Sequence, residues 1–320
     1  MKRPKLLQAF SDDEYERAHL LLASRVAVMQ GRKFEEGDWT AVYCGAKGIK
    51  DEGWSNLSID VIHENLGVEH KMLCVRSDNT IQELCGTTLM HPAATRSIRI
   101  PDIKDPTKAA QNVLQQYADL IEGRTRKVAE NAPGKLPDMR AGWLLWQESL
   151  REFLYWEEEM LPPDPEDYWA EWKTSGGGTR KASKNLWVYE NNTEKKRFSI
   201  TTQAGAKIQP YFDVPPPNRK GLYRFMVQGE TLPNGNIRIW ISKPTALFLK
   251  KLIGEVSSDS ITAALEKIAA IERNEEREGH VSIEAAIPIE LSPTAYTLLK
   301  SCFKGVSDEH LVQQLVQMLL

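Results

Sequence analysis

Two apolar runs joined by a short polar stretch limit most strongly how this chain can fold. The first run is NLSIDVI at 56–62, the second is VEHKMLCV at 68–75, and HENLG lies between them. Such runs around a stretch that contains Asn and Gly are typical of two strands joined by a turn. Helical patterns at 11–30 and 106–130 flank the pair. This order predicts an α/β fold in which helices cover a mixed sheet.

Other segments of the first half are read from residue type and spacing. Ser11, followed by acidic residues, predicts the N-cap of the first helix. Branched and aromatic residues predict strands at DWTAVYCG (38–45) and MRAGWLLWQ (139–147). The next segment, ESLREFLYWEEEM (148–160), predicts a helix.

The second half predicts hairpins followed by helices. One hairpin at 186–202 turns at an Asn-Asn pair, and another at 223–242 turns at Asn-Gly, because Asn and Gly tolerate the positive φ of tight turns. Helical patterns follow at 244–254, 257–276 and 307–320.

Composition narrows the class of protein. Apolar residues make up 41% and charged residues 27% of the chain, a mixture typical of soluble globular proteins. No run reaches the roughly 18 apolar residues of a membrane span, and the N-terminal segment lacks the apolar stretch of a signal peptide. We therefore expect a cytoplasmic protein with no membrane partner, and we expect its four cysteines to be reduced.

The net charge of −3 conceals two strongly charged regions. From Glu148 to Glu171, nine acidic residues and one arginine give −8. From Lys173 to Arg224, eleven lysines and arginines and three acidic residues give +8. A positive region of this size attracts a polyanion such as DNA.

Polar residues inside the two apolar runs form a candidate catalytic site. Glu69 and Lys71 are two residues apart in a strand, so they project from one face while His70 points to the other. The turn brings Asp60 beside Glu69 and Lys71. Mg²⁺ prefers one or two carboxylates together with water and phosphate oxygens, and a lysine can orient or help deprotonate an attacking water. The three residues therefore suit hydrolysis of a phosphodiester.

The pattern of acid, any residue and lysine also occurs as DIK (102–104), EWK (171–173) and EKK (194–196). The DIK segment lies between prolines, which disfavour a central strand, and the other two precede a loop or form a turn. EHK differs because it lies inside an apolar strand beside an acidic residue of the preceding strand. The alternative reading is an ordinary solvated strand face, which antiparallel sheets commonly have.

The arrangement of Asp60 and Glu69-His70-Lys71, preceded by an acidic helix and followed by a helix and a strand, resembles the PD-(D/E)XK nuclease superfamily, which includes type II restriction endonucleases. The resemblance covers the first half of the chain. It implies a restriction-endonuclease-like mixed sheet flanked by helices, with an α+β extension for DNA recognition. It also implies that Asp60, Glu69 and the backbone carbonyl of His70 ligate Mg²⁺ while Lys71 assists the attacking water.

Two parts of this assignment stay open. Some members of the superfamily add a carboxylate from the first helix, which Glu14 or Glu16 would supply here. Ile59 stands where the family pattern has proline, and Asp51 is an alternative to Asp60 as the first carboxylate.

The basic half of the chain is expected to hold the DNA. We expect residues 1–160 to form the catalytic core and 161–320 to serve recognition and dimerisation, with one integrated domain as the alternative. Lysine and arginine neutralise phosphates, and polar side chains read base edges. The candidate DNA-binding residues are Thr179, Arg180, Lys181, Ser183, Lys184, Asn185, Gln203, Lys207 and Gln209.

Other motifs carry little functional information. The phosphate-binding patterns GxxxxGK[ST] and GxGxxG are absent, so we expect no nucleotide cofactor. The six tryptophans between Trp143 and Trp187 predict core packing rather than a surface for stacking bases. The histidines and cysteines at 63–91 lack the spacing of zinc ligands.

Together these features predict a Mg²⁺-dependent type II restriction endonuclease that cuts double-stranded DNA. A homodimer would present one site to each strand, and its symmetry would favour a palindromic target. One alternative is a repair or defence nuclease that recognises DNA structure or modification. Another is a DNA-binding protein without catalytic activity.

Overall fold

The computed structural model describes residues 4–29, 32–50, 59–75, 80–92, 98–175, 183–201, 207–269, 286–305 and 307–320. The helices of this part are α1 (Asp12–Ala27), α2 (Glu36–Lys47), α3 (Pro106–Asn131), α4 (Lys243–Ile253), α5 (Ser258–Ala269), α6 (Pro293–Cys302) and α7 (Asp308–Leu319). The first strands are β1 (Leu6–Leu7), β2 (Val61–His63), β3 (Leu66–Val75), β4 (Thr88–Met90), β5 (Asp138–Gln147), β6 (Glu152–Glu159) and β7 (Tyr168–Ser175). The remaining strands are β8 (Ser183–Glu190), β9 (Lys196–Thr201), β10 (Lys207–Asp213), β11 (Leu222–Met226), β12 (Glu230–Thr231), β13 (Ile237–Ser242) and β14 (Ala286–Leu291).

The first sheet is mixed and has the order β1-β6-β5-β3-β2, with β11 also paired to β6. The pair β3 and β5 is parallel, and the other pairs are antiparallel. α1 and α2 pack over one face of this sheet and share a core with Val68 and Tyr155. The predicted α/β class with a mixed sheet and flanking helices is confirmed. Within the described ranges, no helix is both long and apolar enough to cross a membrane.

The segment at 38–45 belongs to helix α2, so the strand predicted there is wrong. Trp39, Tyr43 and Ala46 are buried at helical spacing. Gly48 ends the helix with φ 67°, in the left-handed region that favours glycine. Aromatic and branched content favoured a strand, but the spacing of the buried residues is that of a helix.

The segment at 148–160 contains strand β6, so the helix predicted there is also wrong. β6 pairs with β5 on one side and with β1 and β11 on the other. Phe153 and Tyr155 enter the core beneath α1 and α2, whereas Leu154 and Trp156 enter the core on the opposite face. A strand buried on both faces has a continuous apolar run, which sequence spacing does not separate from a buried helix.

The second sheet is antiparallel and has the order β4-β10-β9-β8-β7. β8 and β9 form the hairpin predicted at 186–202. α3 packs on one face of this sheet, where Val113 and Leu114 share a core with Leu186 and Ile200. We call this the inner face, and we call the opposite side the outer face.

The third sheet has the order β12-β13-β14 and is covered by α4 to α7. β12 and β13 turn near Asn234 and Gly235, as predicted, and Gly235 has φ 83°. The residues expected to begin this hairpin form β11, which pairs with β6 instead. The predicted C-terminal helices are confirmed as α4, α5 and α7, with α5 described as far as Ala269.

Strand pairing and hydrogen bonds join the two halves of the chain. β4 pairs with β10, and β11 pairs with β6. The backbone N–H of Ala286 donates to Oγ of Ser24 in α1 at 2.8 Å. Hydrogen bonds therefore join the predicted regions 1–160 and 161–320 in shared sheets.

Candidate functional site

The register of β2 and β3 brings Asp60 beside the EHK segment. Val61 pairs with Val68, so Asp60, one residue before β2, lies next to Glu69. Oδ2 of Asp60 accepts a hydrogen bond from the backbone N–H of His70 at 2.6 Å. The short turn between the strands therefore fixes Asp60 against the segment that carries Glu69 and Lys71.

The two faces of β3 have different environments. His70 is fully buried beneath α2, where Nδ1 lies 3.2 Å from Oγ1 of Thr40 and the ring packs on Tyr43. Burial, together with the nearby charge of Lys71, lowers the pKa of His70 to about 3, so its ring stays neutral. The imidazole points away from Asp60 and Glu69. A ligand role for His70 is thus limited to its backbone carbonyl, as the resemblance implied.

Glu69 lies at the centre of the opposite face of β3. Its side chain is only 8% exposed, and Oε1 pairs with Nζ of Lys71 and with Nη1 of Arg124, the latter at 3.0 Å. Oε2 is buried without a hydrogen-bond partner in the described structure. A buried carboxylate oxygen without a partner is costly unless another group or an ion supplies the interaction.

A third carboxylate reaches this site from α2. Burial raises the pKa of Glu36, with Lys71 and Arg124 opposing the rise and Glu69 adding to it. Glu36 lies in the first turn of α2, two residues before the segment at 38–45 that was predicted as a strand. The helical spacing of the buried residues after it is the signal that would have identified its position.

Asp60 has the most strongly shifted carboxyl of the group. Burial, then repulsion from Glu69 and Glu36, raises the pKa of Asp60 to about 7, against the hydrogen bond from His70 and the charge of Lys71. With all five groups charged, the three carboxylates outnumber Lys71 and Arg124 and leave a net −1. The site therefore favours one more positive charge.

Lys71 remains protonated despite its partial burial. Burial alone would lower the pKa of Lys71, but the attraction and hydrogen bond of Glu69 outweigh this effect and raise it. Tyr117 of α3 is half-buried close to Lys71, and partial burial raises the pKa of its hydroxyl. Lys71 is therefore a fixed cation at neutral pH.

In the described structure, neither Glu14 nor Glu16 contacts Asp60 or Glu69. Glu14 caps α1 through the backbone N–H of Ser11 and pairs with Lys47 at 3.4 Å. Glu16 is exposed, and its charge adds to the effect of burial in raising the pKa of Tyr15. Asp51 lies outside the described residues.

A groove of about 1850 Å³ opens beside this face of the first sheet. It is lined in part by Ala141 and Trp143, which pair with Glu69 and Lys71 across β3 and β5. Glu158 also lines it and accepts a hydrogen bond from Nε1 of Trp143 at 2.8 Å. Burial raises the pKa of Glu158 to about 7, while the hydrogen bond from Trp143 opposes the rise. The groove has room for a ligand larger than a metal ion.

The predicted DNA-binding residues are only partly described. Those outside the described residues are Thr179, Arg180, Lys181 and Gln203. Ser183 begins β8, and Nζ of Lys184 lies 4.1 Å from the centre of the Trp172 ring. Asn185, Lys207 and Gln209 come together on the second sheet, since Asn185 and Lys207 both pair with Thr201, and Gln209 pairs with Ser199. These residues belong to a different sheet from Glu69 and Lys71.

Part of the +8 region forms ion pairs within the fold. Asp213 pairs with Lys195 at 2.6 Å and with Arg197 at 3.0 Å. Burial alone would raise the pKa of Asp213, but hydrogen bonds from Lys195, Thr88 and Arg197 lower it to about 2. The positive electrostatic field available to a polyanion here is therefore weaker than the formal charge of +8 indicates.

The donor set at the EHK segment is small. Across the described ranges, no group of three or more His, Cys, Asp and Glu side chains is arranged to hold a metal ion. Mg²⁺ commonly binds through one or two carboxylates plus waters and substrate phosphates, so Asp60 and Glu69 fit its minimal requirement. The unpaired Oε2 of Glu69 and the raised pKa of Asp60 are the two features that a divalent cation would relieve.

Comparison with protein-family models, with curated proteins and with solved structures finds no match to this chain.

Proposed function

We propose that this chain is a Mg²⁺-dependent nuclease of the PD-(D/E)XK type, with a restriction-endonuclease-like core that hydrolyses phosphodiester bonds of DNA. The observation that carries the proposal is the convergence of Asp60, Glu69 and Lys71 on one side of the β2–β3 pair. The buried carboxylates of Asp60 and Glu69 repel one another. A groove lined by Ala141 and Trp143, the neighbours of Glu69 and Lys71 on β5, has room for a substrate.

Asp60 and Glu69 are the residues that would hold Mg²⁺. The backbone carbonyl of His70 is a third candidate, because the N–H and C=O of a strand residue point to the same side and this N–H points to Asp60. Bound there, Mg²⁺ would supply charge for the developing phosphorane and lower the pKa of a water. The raised pKa of Asp60 supports this role, since a cation favours its ionised form.

Lys71 and Arg124 are cations beside the same carboxylate. The raised pKa of Lys71 supports orientation of the attacking water or of a phosphate oxygen, rather than removal of a proton. Nη1 of Arg124 pairs with Oε1 of Glu69 at 3.0 Å, and this pairing would orient the carboxylate for a bound cation. We propose Arg124 as a positioning residue that the sequence analysis missed, because α3 brings it to Glu69 only in the folded chain.

The finer proposal is a type II restriction endonuclease that cuts double-stranded DNA at a specific site. A homodimer with a palindromic target follows from the need to cut two antiparallel strands. Lys207 is exposed on the second sheet and Gln209 lies two residues along the same strand, which supports a contact with nucleic acid, whereas Asn185 is buried.

The test is incubation of the purified protein with plasmid and phage DNA in Mg²⁺ or in EDTA. The variants are Asp60→Asn and Lys71→Gln, and the matched control is Glu14→Gln, which removes a carboxylate from the cap of α1. We expect discrete fragments in Mg²⁺ from the wild type and the control, and intact DNA from both site variants.

Each other outcome has a definite meaning. A smear lost in both site variants would retain the nuclease and replace restriction by the repair or defence alternative. Intact DNA under every condition, with folded protein that binds it, would refute catalysis and leave a DNA-binding protein.

A further inference from the structure

Aromatic and basic side chains share the outer face of the second sheet. The rings of Trp169, Trp187, Tyr189 and Tyr211 are half-buried there, and Lys196 lies among them. We call these five residues the aromatic face. Core packing, predicted for the tryptophans at 143–187, is correct for Trp143, Trp146 and Trp156 but wrong for Trp169 and Trp187, which lie half-buried on the outer face.

Strand register explains why these side chains are on the same side. Tyr189 pairs with Trp169 and with Lys196, and residues opposite each other in a sheet share a face. A bulge in the pairing of β8 and β9 skips Arg197, so Lys196 points outward while Arg197 turns to Glu190 and Asp213. Bulges commonly re-aim a side chain in this way.

The rings and the lysine are in direct contact. Trp169 and Tyr189 stack with their ring centres 4.5 Å apart and their planes 17° apart. Nζ of Lys196 lies 3.3 Å from the centre of the Trp187 ring and 5.0 Å from that of Tyr211. The face thus offers flat apolar surface with a cation at its centre.

The charge around the rings is positive. Lys173 and Lys207 are exposed on one cross-strand row, and the row of Glu171 and Trp187 lies between that row and Lys196. Glu171 is engaged by Lys173 at 3.0 Å and by the hydroxyl of Tyr189 at 2.8 Å. Three lysines against one glutamate leave a net +2, which complements an anionic ligand.

The contrast with the inner face shows that the outer rings do not serve the core of this sheet. On the inner face, Tyr168 and Phe198 pack with the apolar side of α3. Trp169 and Trp187 lie outside that core, where their rings contact Tyr189 and lysine side chains and stay half-exposed. Large half-exposed rings grouped on one surface are typical of a binding site.

We propose that the aromatic face binds single-stranded nucleic acid, with unpaired bases stacking on the rings and phosphates pairing with Lys196 and the neighbouring lysines. Aromatic rings accept any unpaired base, and lysines follow the backbone. A duplex cannot use such a surface in the same way, because its bases are already stacked on one another. The proposal is independent of cleavage, since it concerns another sheet and needs no divalent cation.

The test is the binding of a fluorescein-labelled oligothymidylate about 15 nucleotides long, matched to a typical site size of single-strand-binding folds. Fluorescence anisotropy is measured in EDTA, so that the result does not depend on the nuclease proposal. The variants are Trp187→Ala and Lys196→Gln. The matched control is Lys195→Gln, which removes the neighbouring charge that pairs with Asp213.

We expect Kd to rise about tenfold or more in each variant, since one stacked base contributes about 1–3 kcal/mol. The control should change Kd by less than about twofold, and in each variant the affinity for a duplex of equal length should also change by less than about twofold. Burial beside the rings lowers the pKa of Lys196 to about 8, so binding should weaken as the pH rises above about 8.

Lys196→Gln keeps the test decisive if Trp187→Ala does not fold. Unchanged affinity in Lys196→Gln, an equal loss of affinity for the duplex in that variant, or no binding of the oligothymidylate would each overturn the proposal. Binding of a neutral oligosaccharide such as maltoheptaose, lost in Trp187→Ala, would overturn it in favour of a carbohydrate surface.

Discussion

Two buried acidic clusters in this molecule differ in how their charges are accommodated. Glu309 of α7 is 1% exposed and accepts hydrogen bonds from the backbone N–H of Ser242 at 2.6 Å, from Oγ of Ser242 at 2.8 Å and from Nε2 of Gln313 at 2.8 Å. Thr245 adds its hydroxyl. Each donor is neutral, and together they fasten α4 to α7.

At the EHK segment the carboxylates face one another instead. Glu69 leaves Oε2 without a partner, and the pKa of Asp60 rises to about 7 through burial and through Glu69 and Glu36. A chain that can satisfy one buried acid fully at Glu309 does not do so at Asp60. The contrast is that expected if the Glu309 cluster serves stability and if the proposed ligand completes the Asp60–Glu69 cluster.

The largest expected effect is on cleavage. Glu69→Gln keeps the size of the side chain and removes its charge, so we expect Mg²⁺-dependent cleavage to fall by about a thousandfold or more, on the order of 4 kcal/mol. Initial rates on supercoiled plasmid measure this effect. Retained activity in Glu69→Gln would contradict the proposal that the Asp60–Glu69 cluster, unlike the Glu309 cluster, serves cleavage.

The next effect is on stability and concerns the other cluster. Glu309→Ala should lower the free energy of unfolding by about 3 kcal/mol, because it leaves buried hydroxyl and N–H donors unpaired. Urea unfolding measures the loss. The control is Glu266→Ala on an exposed position of α5, which should stay within about 0.5 kcal/mol of the wild type. A loss no larger than that of the control would show that Glu309 does not fasten the helices.

Asp60→Asn should raise the free energy of unfolding, the opposite of the effect expected for Glu309→Ala. The pKa of Asp60 is about 7 in the folded state against its ordinary value of 3.8, so ionisation costs stability as the pH rises from about 4 through 7. Asparagine avoids this cost. We expect the variant to be more stable than the wild type by about 1–2 kcal/mol at pH near 8, with little difference near pH 4.

Urea unfolding across this pH range checks the sign. A variant less stable than the wild type at high pH would mean that the aspartate is held for structure, as Glu309 is.

The smallest effect concerns the buried face of β3. Thr40→Val removes the partner of His70 Nδ1 and should cost about 1 kcal/mol of stability. Cleavage should be unchanged, because His70 faces the core and Asp60 and Glu69 face the other way. Loss of cleavage in a stable Thr40→Val protein would mean that the two faces of β3 are coupled.

The sequence correctly predicted that Asp60, Glu69 and Lys71 lie together on one face of the β2–β3 pair. Alternation in β3 separated Glu69 and Lys71 from His70, and the short turn placed Asp60 beside them, since both depend on local geometry. Arg124 and Glu36 reach the site through the packing of α3 and α2, which the sequence does not specify.

The wrong elements have a common physical cause. Residue type alone favoured a strand at 38–45 and a helix at 148–160. In the structure, the first segment is helical because it buries one side, and β6 is a strand whose two faces are both buried. The bulge that turns Lys196 outward depends on pairing between β8 and β9, so the aromatic face was not predictable from spacing.

The most direct test of the central claim is calorimetric titration of Mg²⁺ into the wild type and into Asp60→Asn at pH near 6 and near 8. With a pKa of about 7, Asp60 is about one-tenth ionised at the lower pH and nine-tenths at the higher, so wild-type affinity should rise about tenfold. Asp60→Asn should bind more weakly and lose the dependence on pH. Equal affinity and equal pH dependence in both proteins would contradict the claim that Asp60 and Glu69 hold the cation together.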